Sequence, residues 1–378
     1  MKPKVFIALA SSILGGPGKG LKQFLVSGGL EKCEPLVVEY RTDASAGPSE
    51  YGLAMRSTGA RVEVLRQKKR FDPGLVEQSL RLIRENGIEI LQSHGYKSHV
   101  LCWILRRKTG LPWIAFVHGW TREDWKIRVY TLIEHVMLLL ADEVVAVSGS
   151  LRQKLLPPVR RRCRVIPNAV APEELAIPPE DENMRRRLGI PADALLAGVV
   201  GRLSPEKGQS VFVRALAVAR QREPRLYGLL VGDGQEAGRL HDEVCSLGLE
   251  PYCLFTGHVQ GLGPYYGSMD MLVLPSFAEG MPNVALEGML MGLPVVACRV
   301  GGVPEVVVDK ETGVLIAPGD VTALAQAMLE LAASADLRRR LGEAGRDRMQ
   351  REFTPQVRVE RFMDLYRQTL QSGREPAA

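Results

Sequence analysis

Apolar residues along this chain gather into short continuous runs separated by stretches with helical spacing. Residues 5–9, 36–40, 62–65, 88–92, 113–117 and 143–147 read as strands. After a break, residues 195–200, 226–231, 271–274 and 295–297 repeat the pattern. Runs that are apolar throughout, rather than alternating, belong to strands covered on both faces. Helical signals lie between them. One helix starts at Asp72-Pro73 and stops at Asn86-Gly87; another starts at Thr121 with Asp124 at its capping-box position, its apolar residues from Trp125 to Leu140 falling on one stripe. Strands alternating with helices predict an α/β protein with parallel, doubly wound sheets, whose ligands bind beyond the carboxyl ends of the strands.

The most informative stretch follows the strand at 271–274. Pro275 stops that strand, residues 276–281 form a loop, and Pro282 suits the first position of a helix that Gly292 and Pro294 end. Glu279 therefore stands on the loop, with Gly280 and Met281 after it, and Glu287 stands inside the helix. The N–H groups of Asn283 and Val284 at the helix start suit an anion. Carboxylates for sugar or ribose hydroxyls beside N–H groups for phosphate describe a nucleotide-sugar site.

Other strand ends carry matching chemistry. Gly201-Arg202 and Lys207-Gly208 follow the strand at 195–200, and two cations five residues apart leading into a helix suit a diphosphate. Gly15-Gly16-Pro17-Gly18-Lys19-Gly20 follows the first strand as a loop, with a helix expected from Leu21. It is no P-loop, because Ile13 stands where the first glycine belongs and Gly20 where Ser or Thr belongs. His118 and Gly119 leave the strand at 113–117, and His94 follows the strand before it.

The string from Glu279 to Glu287, followed by Gly301-Gly-Val-Pro-Glu305, resembles the E-x7-E signature of retaining GT-B glycosyltransferases, most closely glycosyltransferase family 4. The resemblance covers nearly the whole chain and is strongest from Gly201 to Glu305. It implies two Rossmann-like domains facing a central cleft: residues 1–170 on the acceptor side, residues 171–354 holding the nucleotide sugar, and a last helix, 355–371, crossing back to the first domain. It implies sugar transfer with retention of configuration from a nucleotide-diphosphate sugar to a glycan or lipid-linked acceptor. Glu279 would then bind the donor sugar and support an oxocarbenium-like transition state, with His118 bracing that sugar. Arg202 and Lys207 would hold the diphosphate and Glu287 the ribose. Gly16, Gly257, Gly280, Met281, Pro282, Asn283 and Val284 would complete the donor site, with Gly257 in the segment that meets the base. Gly15, Trp120 and Arg122 would face the acceptor. Pro167-Asn168-Ala169-Val170 departs from the family's Pro-Asn-Gly hinge, with Ala in place of Gly and no Asp after the apolar residue.

Composition sharpens the partners. A chain of 378 residues suggests two domains. Residues 1–170 carry 27 Lys and Arg against 15 Asp and Glu, while the remainder carries 22 against 28. Such asymmetry predicts an anionic partner for the first half, read here as a membrane surface and not nucleic acid. All four tryptophans lie between residues 103 and 125; Trp120 and Trp125, interleaved with Arg122, Lys126 and Arg128, suit stacking on a sugar, a lipid interface, or ordinary helix packing. Lys2 and Lys4 before an apolar run imitate a signal peptide, but the run reads as the first buried strand. The six cysteines form no C-x-x-C pair and predict reduced core thiols, hence a cytoplasmic protein peripheral to the inner membrane face. No paired-Asp motif stands at a strand end, and two fixed cations make a metal unnecessary; no cofactor is expected beyond the nucleotide sugar. The tail after Gln371 reads as disordered. A nucleotide-sugar epimerase of the same fold is the alternative, with a dehydrogenase and a non-catalytic nucleotide-sugar binder as further rivals. Nucleotide, sugar, acceptor, linkage and oligomeric state are not legible.

Overall fold

A computed structural model describes residues 2–42, 49–68, 72–119, 125–176 and 184–372. The chain divides into two compact units, Met1–Ala169 with Pro355–Ala378, and Val170–Thr354. The first holds seven strands: β1 (Lys4–Leu9), β2 (Glu34–Arg41), β3 (Arg61–Arg66), β4 (Ile90–His94), β5 (Trp113–Val117), β6 (Glu143–Ala146) and β7 (Cys163–Val165). They lie in the order β3-β2-β1-β4-β5-β6-β7, with every pair parallel. The order reverses between β1 and β4, the switch point where such sheets bind ligands. Helices cover the strands, among them α1 (Gly16–Phe24), α2 (Gly74–Asn86), α3 (Tyr96–Thr109), α4 (Trp125–Leu140) and α5 (Pro157–Arg162). β1 and β5 are buried almost end to end, which is why their sequences are apolar without alternation.

Two local expectations shift. The strand expected at 88–92 runs instead from Ile90 to His94. Ile88 is consumed by the end of α2, where Gly87 adopts a left-handed conformation and the Ile88 N–H donates to the Ile83 carbonyl at 3.1 Å. The shift moves His94 from a loop into the strand end. The glycine stretch expected as a loop forms the first turns of α1, starting at Gly16. Each helical glycine costs about 1 kcal/mol relative to alanine. Tertiary packing overrides that cost. A Cβ on Gly18 would crowd Leu14 and Tyr51, and the Gly20 carbonyl accepts from the Arg358 guanidinium at 2.9 Å.

The second unit carries β8 (Leu195–Val200), β9 (Leu226–Val231), β10 (Cys253–Phe255), β11 (Met271–Leu274), β12 (Val295–Cys298) and β13 (Gly313–Ile316). Neither β10 nor β13 was among the strands expected, although Gly313-Val-Leu-Ile316 is a short apolar run. They run parallel in the order β10-β9-β8-β11-β12-β13, with the switch point between β8 and β11. Helices α6 (Gln209–Arg220), α7 (Asn283–Leu290), α8 (Val321–Ala333) and α9 (Ala335–Glu352) belong to this unit. Pro282 is the N-cap of α7 and not its first residue, so the helix starts one residue later than expected, and the Pro282 backbone is extended rather than helical.

The last helix, α10 (Pro355–Ser372), returns to the first unit, as expected. Phe362 stacks on Phe24 at 4.5 Å and lies 5.3 Å from Phe116, centroid to centroid, and Tyr366 is fully buried. Such aromatic pairs contribute roughly 0.5–1.5 kcal/mol each beyond area burial. No helix among the described residues is long and apolar enough to cross a membrane.

Candidate active site

In the second unit, the loops after β8 and β11 flank the switch point and bring together residues far apart in sequence. Lys207 Nζ lies 2.8 Å from Glu279 Oε1. The Ser276 hydroxyl donates to the same oxygen at 2.7 Å. The Glu279 side chain is only 9% exposed, so this carboxylate is largely desolvated beside its cation. Two glycines make that closeness achievable. Gly208 has φ +67, and a Cβ there would overlap the Pro275 carbonyl; Gly301 has φ +51, and a Cβ there would overlap the Glu279 carbonyl. Any other residue at either position would push the loops apart as well as strain its own backbone.

Arg202 Nη2 donates to Glu206 Oε1 at 2.5 Å, and the Ser204 hydroxyl donates to the same oxygen at 2.7 Å. Burial pushes the Glu206 carboxyl up, but the Ser204 hydroxyl, its own backbone N–H and the Arg202 guanidinium together hold it below the usual value. On α7, Glu287 lies one turn beyond Asn283 and shares its face. The fully buried Tyr266 hydroxyl donates to Glu287 Oε2 at 2.6 Å, and burial followed by the Glu287 charge pushes that phenol well above its usual pKa. The helix ladder starts with bonds from Ala285 and Leu286 to the Pro282 carbonyl. The N–H groups of Asn283 and Val284 thus lie ahead of it, at the positive end of the helix dipole. Gly257 follows β10 and accepts from the Gly232 N–H at 3.1 Å.

In the first unit, His118 leaves β5 beside the end of β4. His118 Nε2 is 2.8 Å from His94 Nδ1. Burial, then the Arg358 charge, push the His118 imidazole down to about 3, and burial pushes His94 well below its usual value. Both rings are neutral at ordinary pH. They line a pocket of about 310 Å³ together with Pro17, Lys97, Gly119 and Glu134. Gly15 caps α1, and neither it nor Gly16 would meet any atom within 4 Å if given a Cβ. Ser93, His99 and Glu134 form a Ser–His–acid line at 2.8 and 3.4 Å, but Ser93 is fully buried and its oxygen accepts from the Trp113 indole, so it is packing and not a nucleophile.

Residues 31–174 match the Glycosyltransferase Family 4 pattern, and residues 195–334 match that of Glycosyl transferases group 1. A D-inositol 3-phosphate glycosyltransferase of Stackebrandtia nassauensis is 30% identical over 75% of this chain and 69% of its own. The chain belongs to glycosyltransferase family 4. It is a glycosyltransferase of the GT-B fold. Two solved structures share that fold. Sucrose-phosphate synthase from Thermosynechococcus elongatus has a TM-score of 0.80 at 24% identity, covering 98% of this chain and 100% of that one. The Anabaena protein HepE, in complex with UDP, has a TM-score of 0.84 at 21% identity, covering 97% and 100%.

Within this family 4 chain, the second unit joins Lys207 to Glu279 directly and places Gly280, Met281 and Pro282 as the link from Glu279 to α7. Arg202 stands on the same loop as Lys207. The first unit holds Gly15, Gly16 and His118. Trp120 and Arg122 lie outside the described residues, as do Thr121 and Asp124 of the expected helix start and residues 373–378 of the tail. Sequence reasoning missed Ser276, Glu206, Tyr266, Gln92 and Tyr366. Ser276 and Glu206 sit within the quoted motifs and were open to notice. The other three bear on the site through buried contacts that no spacing reveals. Five of the six cysteines are buried, and burial pushes Cys33 and Cys253 up to about 12, so those thiols are poor nucleophiles.

Proposed function

We propose that this glycosyltransferase moves a sugar from a nucleoside diphosphate sugar to an acceptor hydroxyl with retention of anomeric configuration. The observation that carries the reading is the desolvated Lys207–Glu279 pair at the switch point of the second unit. The donor diphosphate draws Lys207 and Arg202 to itself, and their fixed charge offsets the charge that grows on the leaving group. Glu279, released from Lys207, accepts from the donor sugar's hydroxyls and supports positive charge at the anomeric carbon. Glu287, aimed by Tyr266, takes the ribose. The bond from the anomeric carbon to the phosphate oxygen breaks, and a bond to the acceptor oxygen forms on the same face. The acceptor proton leaves with the departing phosphate. Neutral His118, in the pocket of the first unit, offers its ligand a hydrogen bond without adding charge. No metal is needed for this charge balance. The test incubates the enzyme with a panel of nucleotide sugars and acceptors, with and without EDTA, and reads the anomeric proton of donor and product by NMR. An inverted product overturns retention; loss of transfer in EDTA with recovery in magnesium overturns the metal-free reading; epimerised sugar without transfer overturns the class of reaction.

We also propose that the first unit meets its acceptor at an anionic membrane surface, at the cytoplasmic face. Leu132, Val136, Leu139 and Leu140 are 38–66% exposed on one face of α4. Next to them Leu156 is exposed, with Arg152, Lys154, Arg160 and Arg161, and Arg162 ties α5 to α4 by donating to the Leu138 carbonyl at 2.8 Å. An apolar stripe edged by cations fits an anionic lipid surface, where each cation contributes about 1 kcal/mol. Co-sedimentation with phosphatidylglycerol vesicles should exceed that with phosphatidylcholine and fall with salt. Arg160→Glu with Arg161→Glu should abolish it. Equal binding to both vesicle types, or a dimer in place of vesicle binding, overturns this surface.

A further inference from the structure

A buried polar chain runs from the last helix to His118. The Tyr366 hydroxyl donates to Gln92 Oε1 at 2.6 Å. Gln92 Nε2 lies 2.9 Å from His94 Nε2, and His94 Nδ1 lies 2.8 Å from His118 Nε2. Tyr366 and Gln92 are completely buried, and His94 is 4% exposed. The two imidazole planes are 21° apart with centroids 5.1 Å apart, so the rings meet edge to edge, as an in-plane N–H···N bond requires.

Each link has room for one proton, which fixes the direction of all of them. An amide nitrogen only donates, so His94 Nε2 must accept. Neutral His94 then carries its proton on Nδ1 and donates to His118 Nε2. His118 is left with its own proton on Nδ1. Turning the amide over would reverse the chain and leave the Tyr366 hydroxyl proton without an acceptor among the described residues. A buried unsatisfied donor costs about 1–3 kcal/mol. Protonating either ring would set N–H against N–H within the chain, and Arg358 and His99 nearby oppose added charge as well.

We propose that Tyr366, Gln92 and His94 are positioning residues that hold His118 as the Nδ1–H tautomer, so that this pocket histidine offers a ligand a hydrogen-bond donor and not an acceptor. The α10 helix thereby does more than complete the first core: it sets the polarity of a side chain in the pocket. The ligand atom facing His118 Nδ1 is then an oxygen with a lone pair, such as a sugar hydroxyl, and an ammonium group is rejected there. The link to catalysis rests on the transfer reaction proposed above; the tautomer does not.

Gln92→Glu makes the sharpest test, because an ionised carboxylate at the same place only accepts. It would accept from both Tyr366 and His94 Nε2, turn His94 round, and move the His118 proton to Nε2. The measurement is a long-range proton–nitrogen NMR spectrum of the full-length protein labelled at histidine, with His118→Asn used to assign the signal. We expect an Nδ1–H signal for His118 in the wild type, an Nε2–H signal in Gln92→Glu, and a mixture in Tyr366→Phe. A wild-type proton on Nε2, or a His118 signal unchanged in a folded Gln92→Glu or Tyr366→Phe protein, overturns the proposal. If Gln92→Glu fails to fold, the wild-type and Tyr366→Phe spectra decide. Transfer by Gln92→Glu should fall at least about tenfold, with nucleoside diphosphate affinity unchanged because the second unit binds it. A reversed tautomer with an unchanged rate overturns the link between this chain and the ligand, while the tautomer readout stands independently of whether transfer is the reaction.

Discussion

At the switch point of the second unit, Lys207 and Glu279 meet as an ion pair at 2.8 Å; beside the switch point of the first, His94 and His118 meet as neutral rings at 2.8 Å. The two sheets share a winding order and a habit of gathering chemistry at the carboxyl ends of their strands. They differ in what they gather. The second unit gathers fixed charge of both signs on glycine-braced loops, the Glu279 carboxylate largely desolvated, an arrangement suited to a diphosphate and an electron-poor sugar carbon. The first buries uncharged hydrogen-bonding groups whose proton positions are set from behind. One topology thus serves both charge and directed polarity, because the sheet supplies only the location and the loops supply the chemistry.

Four perturbations break or sharpen this contrast, and the largest effect falls on the charged side. Glu279→Gln removes the negative charge and leaves Lys207 without its partner, so kcat should fall by about 10²–10³, as for loss of one transition-state electrostatic contact. Near-normal turnover in a protein with an unchanged melting temperature would remove Glu279 from the chemistry. Next come Arg202→Ala and Lys207→Ala. A charge-assisted hydrogen bond contributes about 1.5–3 kcal/mol, or about 10–100-fold in affinity. Calorimetric titration with a nucleoside diphosphate should show that loss, and the transfer rate should drop with it. Unchanged affinity in both variants would place the diphosphate elsewhere.

Tyr266→Phe should be milder. Removing the hydroxyl 2.6 Å from Glu287 leaves the carboxylate in place but less well aimed, and about 1 kcal/mol corresponds to about a fivefold rise in the donor KM with kcat nearly constant. A fall in kcat at constant KM would mean that Tyr266 acts in the transition state. The remaining perturbation concerns the neutral side and appears in stability, not in turnover. His118 has a folded pKa of about 3, below the ordinary value of 6.5, so the unfolded chain binds the extra proton first as pH falls. Its neutral form therefore favours folding above about pH 6.5, and that contribution is lost as the pH drops toward 3. Urea midpoints should fall between pH 7 and pH 4.5 in the wild type and fall less in His118→Asn. Equal slopes for the two proteins would show that His118 titrates in the fold as it does in the unfolded chain, and would remove the depressed pKa.

Much of this was legible in the order of residues. Strands such as β5, β8, β9 and β11 announce themselves because a strand buried on both faces must be apolar throughout, and a nearby glycine or proline ends each. That Glu279, Lys207 and Arg202 stand on loops just past strand ends was legible, because Gly201 and Pro275 stop the strands before them. The glycine stretch at 15–20 was not, since local propensity argues for a loop and only the approach of Tyr51 and Arg358 makes it a helix. The start of β4 was hidden for a similar reason: Ile88 fits a strand by pattern, but the end of α2 claims its N–H.

By itself, then, the sequence determined the alternation of elements, the doubly wound class, the charged motifs and the family, all of which are encoded within windows of a few to a few dozen residues. The tertiary structure alone decided which residues separated by dozens or hundreds of positions share a proton. It joined Lys207 to Glu279 across 72 residues and Tyr366 to Gln92 across 274. The physical reason is that a hydrogen bond has a range of about 3 Å and a direction, and neither is written in spacing along the chain once the backbone folds back on itself.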